Sequence, residues 1–253
     1  MTVNMQGKVA LVTGASAGIG RATALAFAQL GASVVVSDVA VEGGAETVRQ
    51  ITAADGAAIF VQADVANEAD VAALVRTTIK QYGRLDYACN NAGIGGHSAP
   101  TAEYPLAEWQ KVIDINLTGV WLCMKHELPE ILKNGGAIVN MASILGTVGF
   151  ANACAYTAAK HGVIGMTKVA ALEYSAQGVR VNAVCPAFIA TPMLERAGLL
   201  DNPEMREMLC NLHPIKRLGT SEEVANAVVW LCSPEASFVT GHAMLVDGGF
   251  IAQ

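Results

Sequence analysis

The chain has 253 residues, 53% of them hydrophobic and only 6% aromatic, with a formal net charge of −6. That length suits one large α/β domain with an aliphatic core better than two small ones, and the absence of any basic stretch argues against a nucleic-acid partner. The N-terminus has no charged-then-apolar leader and no apolar run reaches the ~18 residues of a membrane span, so a soluble cytoplasmic protein with no membrane partner is expected.

The first strand is expected over 8–13, where the apolar run Val9-Ala10-Leu11-Val12 leads into Thr13-Gly14-Ala15-Ser16-Ala17-Gly18-Ile19-Gly20. A helical pattern follows over 18–30. A strand, a turn too tight for side chains and a helix N-terminus aimed at that turn make a site for a pyrophosphate, because unpaired N–H groups and the helix dipole both favour an anion. The missing Cβ atoms of Gly14, Gly18 and Gly20 allow the close approach.

Further apolar runs predict strands at 33–38, 58–63, 85–90, 136–141, 179–184 and 243–247. Helical periodicity covers 42–54, 67–82, 105–133, 153–176 and 221–232. Gly31, Gly83, Gly135 and Gly178 each close a helical stretch, Pro105 stands at a first helical position, and Thr220 with Glu223 reads as a capping box. Regular β-α alternation predicts a doubly wound parallel sheet with right-handed crossovers. The stretch 188–215 breaks that rhythm after a strand's C-terminal end, where such sheets bind ligands, and is expected to be a mobile substrate lid; the plainer reading is a peripheral helical hairpin.

The six cysteines (Cys89, Cys123, Cys154, Cys185, Cys210, Cys232) are scattered, and no histidine stands at zinc-ligand spacing. Reduced thiols, mostly buried, and no metal site are expected. Asp38, about twenty residues beyond the glycine turn, can accept both adenosine ribose hydroxyls and repel a 2′-phosphate, which points to NAD rather than NADP.

Tyr156 and Lys160 share one helix face, and a cation beside a phenol favours the phenolate, which would tune a proton carrier. Ser143, just past a strand's end, can hold a carbonyl or alcohol oxygen beside them. Asn116 is a poor helix former inside a helical stretch, and its amide could hold a water in a relay from Lys160.

These ordered motifs resemble the short-chain dehydrogenase/reductase family over essentially the whole chain. They comprise the glycine turn, Asp64-Val65, Asn90-Asn91-Ala92-Gly93, Asn116, Ser143, Tyr156-x3-Lys160, Ile189-x-Thr191 and Asp247-Gly248-Gly249. The resemblance implies a Rossmann fold and a catalytic tetrad of Asn116, Ser143, Tyr156 and Lys160. It further implies that Asp64 and Val65 contact adenine, that the Asn90–Gly93 backbone passes the adenosine ribose, that Lys160 binds the nicotinamide ribose and that Ile189 and Thr191 hold the carboxamide. Ser16, Ile19, Tyr156 and Pro186 join the expected cofactor contacts. Relatives carry Pro-Gly where this chain has Pro186-Ala187, a methyl beside the expected nicotinamide.

The expected activity is NAD(H)-dependent interconversion of a secondary alcohol and a ketone. A 3-oxoacyl-carrier-protein reductase is the alternative, disfavoured by Asp38 and by the lack of a basic patch for an acidic carrier. A catalytically silent NAD-binding regulator is disfavoured by the complete tetrad. Ile94, Gly95, Gly96, His97, Ile144, Leu145, Ala151, Phe188, Met193 and Leu194 are candidate pocket residues, mostly apolar, which suits a hydrophobic or alicyclic substrate. Apolar residues on several faces of 105–133 (Val120, Trp121, Leu122, Met124) and 153–176 (Val163, Ile164, Met166, Val169, Leu172), with the apolar segment 238–250, lead to the expectation of a homotetramer.

Overall fold

Val9–Thr13 is buried at every position and forms strand β1, an interior strand of the sheet. The computed structural model describes residues 3–252. From β1 the chain runs through α1 (Gly18–Gln29), β2 (Ser33–Asp38), α2 (Val41–Ala53), β3 (Ala58–Gln62), α3 (Glu68–Tyr82) and β4 (Tyr87–Asn90). The second half adds α4 (Leu106–Ile113), α5 (Gly119–Ile131), β5 (Gly136–Met141), α6 (Cys154–Tyr174) and β6 (Val179–Pro186). It closes with α7 (Pro192–Arg196), α8 (Pro203–Asn211), α9 (Ser221–Cys232) and β7 (Ala243–Val246).

The strands make one parallel sheet in the order β3-β2-β1-β4-β5-β6-β7, the doubly wound arrangement the alternation predicts. Alternate strand residues enter separate cores. Val12 packs with Phe27, Val34 and Val228, whereas its neighbour Leu11 packs with Leu74, Ile138 and Val163. Each such aliphatic side chain contributes roughly 1.5–3 kcal/mol by leaving water, which is why the strands read as continuous apolar runs.

The helix stops fall where the glycines put them. Gly83 and Gly178 sit at φ +76° and +84°, with Gly31 and Gly135 also left-handed. Thr220 and Glu223 close a complete capping box on α9. Pro105, however, lies one residue before the helix, in an extended conformation, so α4 begins at Leu106.

The stretch 105–133 is also not one regular helix. Asp114–Thr118 forms a π-turn between α4 and α5, with the Gly119 N–H donating back to the Asp114 carbonyl, and the backbone stays right-handed through both junctions. The extra residue leaves the apolar periodicity intact, which is why the sequence hides it. Likewise α7 and α8 occupy half of 188–215, and β6 runs two residues further than expected, to Pro186.

Beneath the sheet's far face lies a buried polar layer that periodicity gives no sign of. The Asn90 amide donates to Glu127 Oε2 (3.0 Å) and to Asn140 Oδ1 (3.0 Å), and Asn140 donates to Thr167 Oγ1 (3.0 Å). Glu127 is fully buried, and burial pushes its carboxyl up to about 7 against only the opposing Asn90 hydrogen bond. Glu127 Oε1 and Asn90 Oδ1 have no partner, a pattern that suits a protonated acid better than a carboxylate.

A carboxyl raised in the folded state stabilises the fold fully below its unfolded value and loses that contribution as pH rises through about 7. Glu127→Gln removes the titration while keeping the shape. Between about pH 5 and pH 9 the unmodified protein should lose roughly 3 kcal/mol more stability than the variant. Denaturant midpoints check this, and parallel pH curves for the two proteins would refute a buried neutral Glu127.

Candidate active site

The site lies at the C-terminal edge of the sheet, where the loops leaving β1 and β4 diverge. Two residues that composition does not single out hold those loops together. Thr13 Oγ1 accepts the N–H groups of Asn91 (3.1 Å) and Ala92 (3.2 Å), while the Asn91 amide donates to the carbonyls of Thr13 (3.0 Å) and Gly14 (3.1 Å). A Cβ on Gly14 would stand 2.7 Å from Ala92 Cα, and one on Gly20 would stand 2.2 Å from the Gly14 carbonyl oxygen. The glycines are therefore required by contact between the loops and α1.

This cradle fits a dinucleotide. Ala17 precedes α1 and supplies no side-chain cap, so the helix's first N–H groups lack the side-chain partner that Asn67 gives α3. Thr191 and Pro192 lie across from Gly18, within about 3.6 Å of where its Cβ would be, so the start of the 188–215 segment closes one side of the glycine turn. Asp38 ends β2; one of its oxygens accepts the Ser16 N–H (3.0 Å) and the other the Ala40 N–H (3.0 Å), each keeping lone pairs for a further donor. Arg21 also reaches this turn, but its guanidinium is committed to the Ser16 carbonyl, and its Nε to Thr47.

The other expected cofactor residues divide. Asp64 is exposed and caps its own turn through Ala66 N–H (2.9 Å), whereas Val65 is buried with Val71, Leu122 and Cys123 and contributes to packing. Asn90 serves the buried polar layer. Gly93 backs onto Asn116, whose Oδ1 would lie 3.2 Å from a Cβ there. Ile189 pairs with Gly219, and the Thr191 hydroxyl donates to the Ile189 carbonyl (3.2 Å). Pro186 closes β6 against Val246, and the Ala187 backbone is not at positive φ, so its methyl strains nothing there.

Four side chains gather beyond the cradle. Ser143 stands beside Tyr156, where it acts to lower the phenol pKa, and Lys160 lies 5.4 Å from the centre of the Tyr156 ring with its ammonium donating to the Met141 carbonyl (2.7 Å). Asn116 sits in the π-turn, and its amide pairs with both polar groups of the Ile94 backbone (2.8 and 2.7 Å). That fixes the loop after β4; the water relay expected of the Asn116 amide has only its second lone pair and second hydrogen to use.

Burial dominates the electrostatics here: it pushes the Tyr156 phenol above its usual value, with Ser143 opposing, and brings Lys160 down to about 8. Around Tyr156 the wall is apolar: Ile94, Trp109, Val112, Ile113 and Leu117 share one cluster with it. Ile144 is buried in a 3₁₀ turn instead of lining open space, and His97 is exposed with its ring against Tyr104.

Two further expectations meet the structure here. Of the apolar residues assigned to subunit contacts, Val120, Leu122, Met124, Val163 and Ile164 complete this subunit's own core, while Trp121, Val169 and Leu172 stay exposed, as do Phe238 and Leu245 near the C-terminus. Four of the six cysteines are buried, with Cys154 and Cys210 partly accessible, and all six are free. Among the described residues no helix is long and apolar enough to cross a membrane.

Comparison with known proteins places this geometry in company. Residues 14–251 match the family described as Enoyl-(Acyl carrier protein) reductase. Cyclohexanol dehydrogenase of Acinetobacter sp. (strain SE19) is 46% identical, with 100% of this chain and 98% of the relative covered. Cis-4-hydroxycyclohexanecarboxylate dehydrogenase of Sinomonas cyclohexanicum is 47% identical over 97% of each chain. The crystal structure of levodione reductase superposes with a TM-score of 0.95 at 39% identity, covering 98% of this chain and 99% of the other.

Proposed function

The chain belongs to the short-chain dehydrogenase/reductase family, and from that premise we propose that it is an NAD(H)-dependent oxidoreductase interconverting cyclic secondary alcohols and their ketones. The observation that carries the reading is the Ser143, Tyr156 and Lys160 group set in an apolar wall beside a glycine cradle. A bound nicotinamide dinucleotide supplies the hydride chemistry. Gly14, Ser16, Gly18, Ile19 and Gly20 would hold its pyrophosphate, Asp38 and the Asn90–Gly93 backbone its adenosine ribose, and Lys160, Pro186, Ile189 and Thr191 its other half.

The protein's own part is proton handling and alignment. The Ser143 hydroxyl orients the substrate oxygen, and the Tyr156 hydroxyl gives that oxygen a proton in reduction and takes it back in oxidation. A phenol held above its usual value carries its proton at neutral pH, the form that reduction needs, and oxidation, which needs the phenolate, gains as pH rises. The apolar surroundings of Tyr156 favour an alicyclic ring over a sugar. The names of the relatives, a cyclohexanol dehydrogenase and a cis-4-hydroxycyclohexanecarboxylate dehydrogenase, support the same class. A free acidic carrier would find no basic patch here.

Closure of 188–215 over the site would exclude water during transfer. The soluble, cytoplasmic setting expected from composition belongs to the same reading. So does a homotetramer: Trp121, Val169 and Leu172 on α5 and α6, and Phe238 and Leu245 near the C-terminus, are exposed apolar side chains in two regions of the chain, which suit two isologous interfaces.

Tyr156→Phe should lower cyclohexanol oxidation with NAD by at least roughly two orders of magnitude while leaving NADH binding in place, and near-normal turnover would end the mechanism. Steady-state assays with both cofactors check the ribose contact: NAD should be clearly preferred, and Asp38→Ala should narrow the gap. Equal efficiency with NAD and NADP in the unmodified protein would contradict it. Light scattering should return a tetramer mass; a particle near the single-chain 26.2 kDa would rule the assembly out.

A further inference from the structure

The Asp247-Gly248-Gly249 turn and the residue after it, Phe250, take no part in the site described so far. The turn is closed on itself: the Asp247 carboxylate accepts the N–H groups of Gly249 (3.0 Å) and Ile251 (3.1 Å), and the Phe250 N–H donates to the Asp247 carbonyl (3.0 Å). It also presses on the far end of 188–215. A Cβ on Gly248 would meet Ile215 Cγ2 at 2.6 Å, one on Gly249 would meet Pro214 Cγ at 3.1 Å, and the Ile215 N–H donates to the Gly248 carbonyl (3.3 Å).

Phe250 carries this contact into the substrate region. Its ring lies 6.0 Å from Phe188 and 5.8 Å from His213, and those two rings lie 5.9 Å from each other, so the three form a closed triangle. Phe188 reaches on to Phe150 at 6.1 Å, in the loop that follows Ser143. His213 is 2% exposed and donates from Nδ1 to the Leu209 carbonyl (2.8 Å), so its ring moves with α8. Phe188 opens the segment and His213 stands near its end. Phe250 is the member of the triangle that belongs to neither.

One ring thus touches both ends of a segment whose backbone is also tied to Gly219 at its start and to Gly248 at its end. Fixing both ends of a loop removes much of its conformational freedom. We propose that Phe250 is a positioning residue, stacking on Phe188 and His213 together to pin both ends of 188–215 and so fix the pocket that the cyclic alcohol enters. This rests on reading 188–215 as the substrate-binding segment. The exposed ring of Phe150 then carries the same constraint to the loop beside Ser143.

The test uses the full chain with Phe250→Ala and Phe250→Leu, reading KM for cyclohexanol, NADH affinity and amide exchange over 203–211 in the NADH complex without alcohol. With no ring left against Phe188 and His213, Phe250→Ala should raise KM on the order of tenfold, leave NADH affinity within about twofold and speed exchange over α8. Phe250→Leu, which keeps apolar bulk without the ring, should show a smaller change in the same direction, and it carries the test if the alanine variant does not fold. Unchanged KM and exchange would overturn the proposal. So would a parallel loss of NADH affinity, which marks general loosening. Faster exchange in a protein whose unmodified form oxidises no cyclohexanol would support the pinning and refute the substrate reading alone.

Discussion

The site depends on the bond set between Thr13 and Asn91. β1 and β4 are neighbours in the sheet although β2 and β3 lie between them in the chain, and at this junction the connections leave in opposite directions. Left alone, the two loops would splay. Thr13 Oγ1 gathers the N–H groups of Asn91 and Ala92, and the Asn91 amide returns to the carbonyls of Thr13 and Gly14. With both polar ends satisfied across the gap, the loops become one surface, and the glycines allow α1 to rest against it. From Ala92 the same chain reaches Ile94, whose backbone is clamped by Asn116. The glycine cradle and the Asn116 side chain are thereby linked along one edge of the sheet.

Helix α6 carries both the Tyr156–Lys160 pair and exposed apolar side chains. Tyr156 and Lys160 lie on its first turns facing the site, Val163 and Thr167 continue into the core and the buried polar layer, and Val169 and Leu172 are exposed. The polar layer ties this helix, together with Glu127 of α5, to the ends of β4 and β5. A subunit contact on the outer faces of α5 and α6 would therefore stiffen the two helices that frame Tyr156. The cost of holding Glu127 neutral inside the protein is offset by the fixed geometry it gives Asn90.

Much of this is legible in the chain. The glycine turn, the left-handed helix ends at Gly31, Gly83, Gly135 and Gly178, and the capping box at Thr220 are local signals, and local signals survive folding. The misses have a common cause in distance along the chain. A π-turn around Asn116 adds a residue without breaking the apolar stripe, so the sequence reads as one helix where two meet. Glu127, Asn90 and Asn140 come from three elements, and nothing in their neighbours marks them as partners. The rings of Phe150, Phe188, His213 and Phe250 converge from four segments in the same way. On α5 and α6, hydrophobicity does not distinguish residues facing the core from those facing outward, because both faces are apolar. Position 187 needs the backbone itself, which does not take a positive φ there and so admits a residue other than glycine.

The central claim is that at one edge of the sheet a hydride passes between an alcohol carbon and a nicotinamide while Tyr156 exchanges the proton of the alcohol oxygen. It is tested most directly with a cyclic secondary alcohol carrying deuterium at the carbinol carbon, incubated with NAD and followed by mass spectrometry. The account predicts one deuterium on the reduced nicotinamide for each ketone formed, with the hydroxyl proton released to water by way of Tyr156. Unlabelled reduced cofactor, or labelled alcohol returned without ketone, would contradict it.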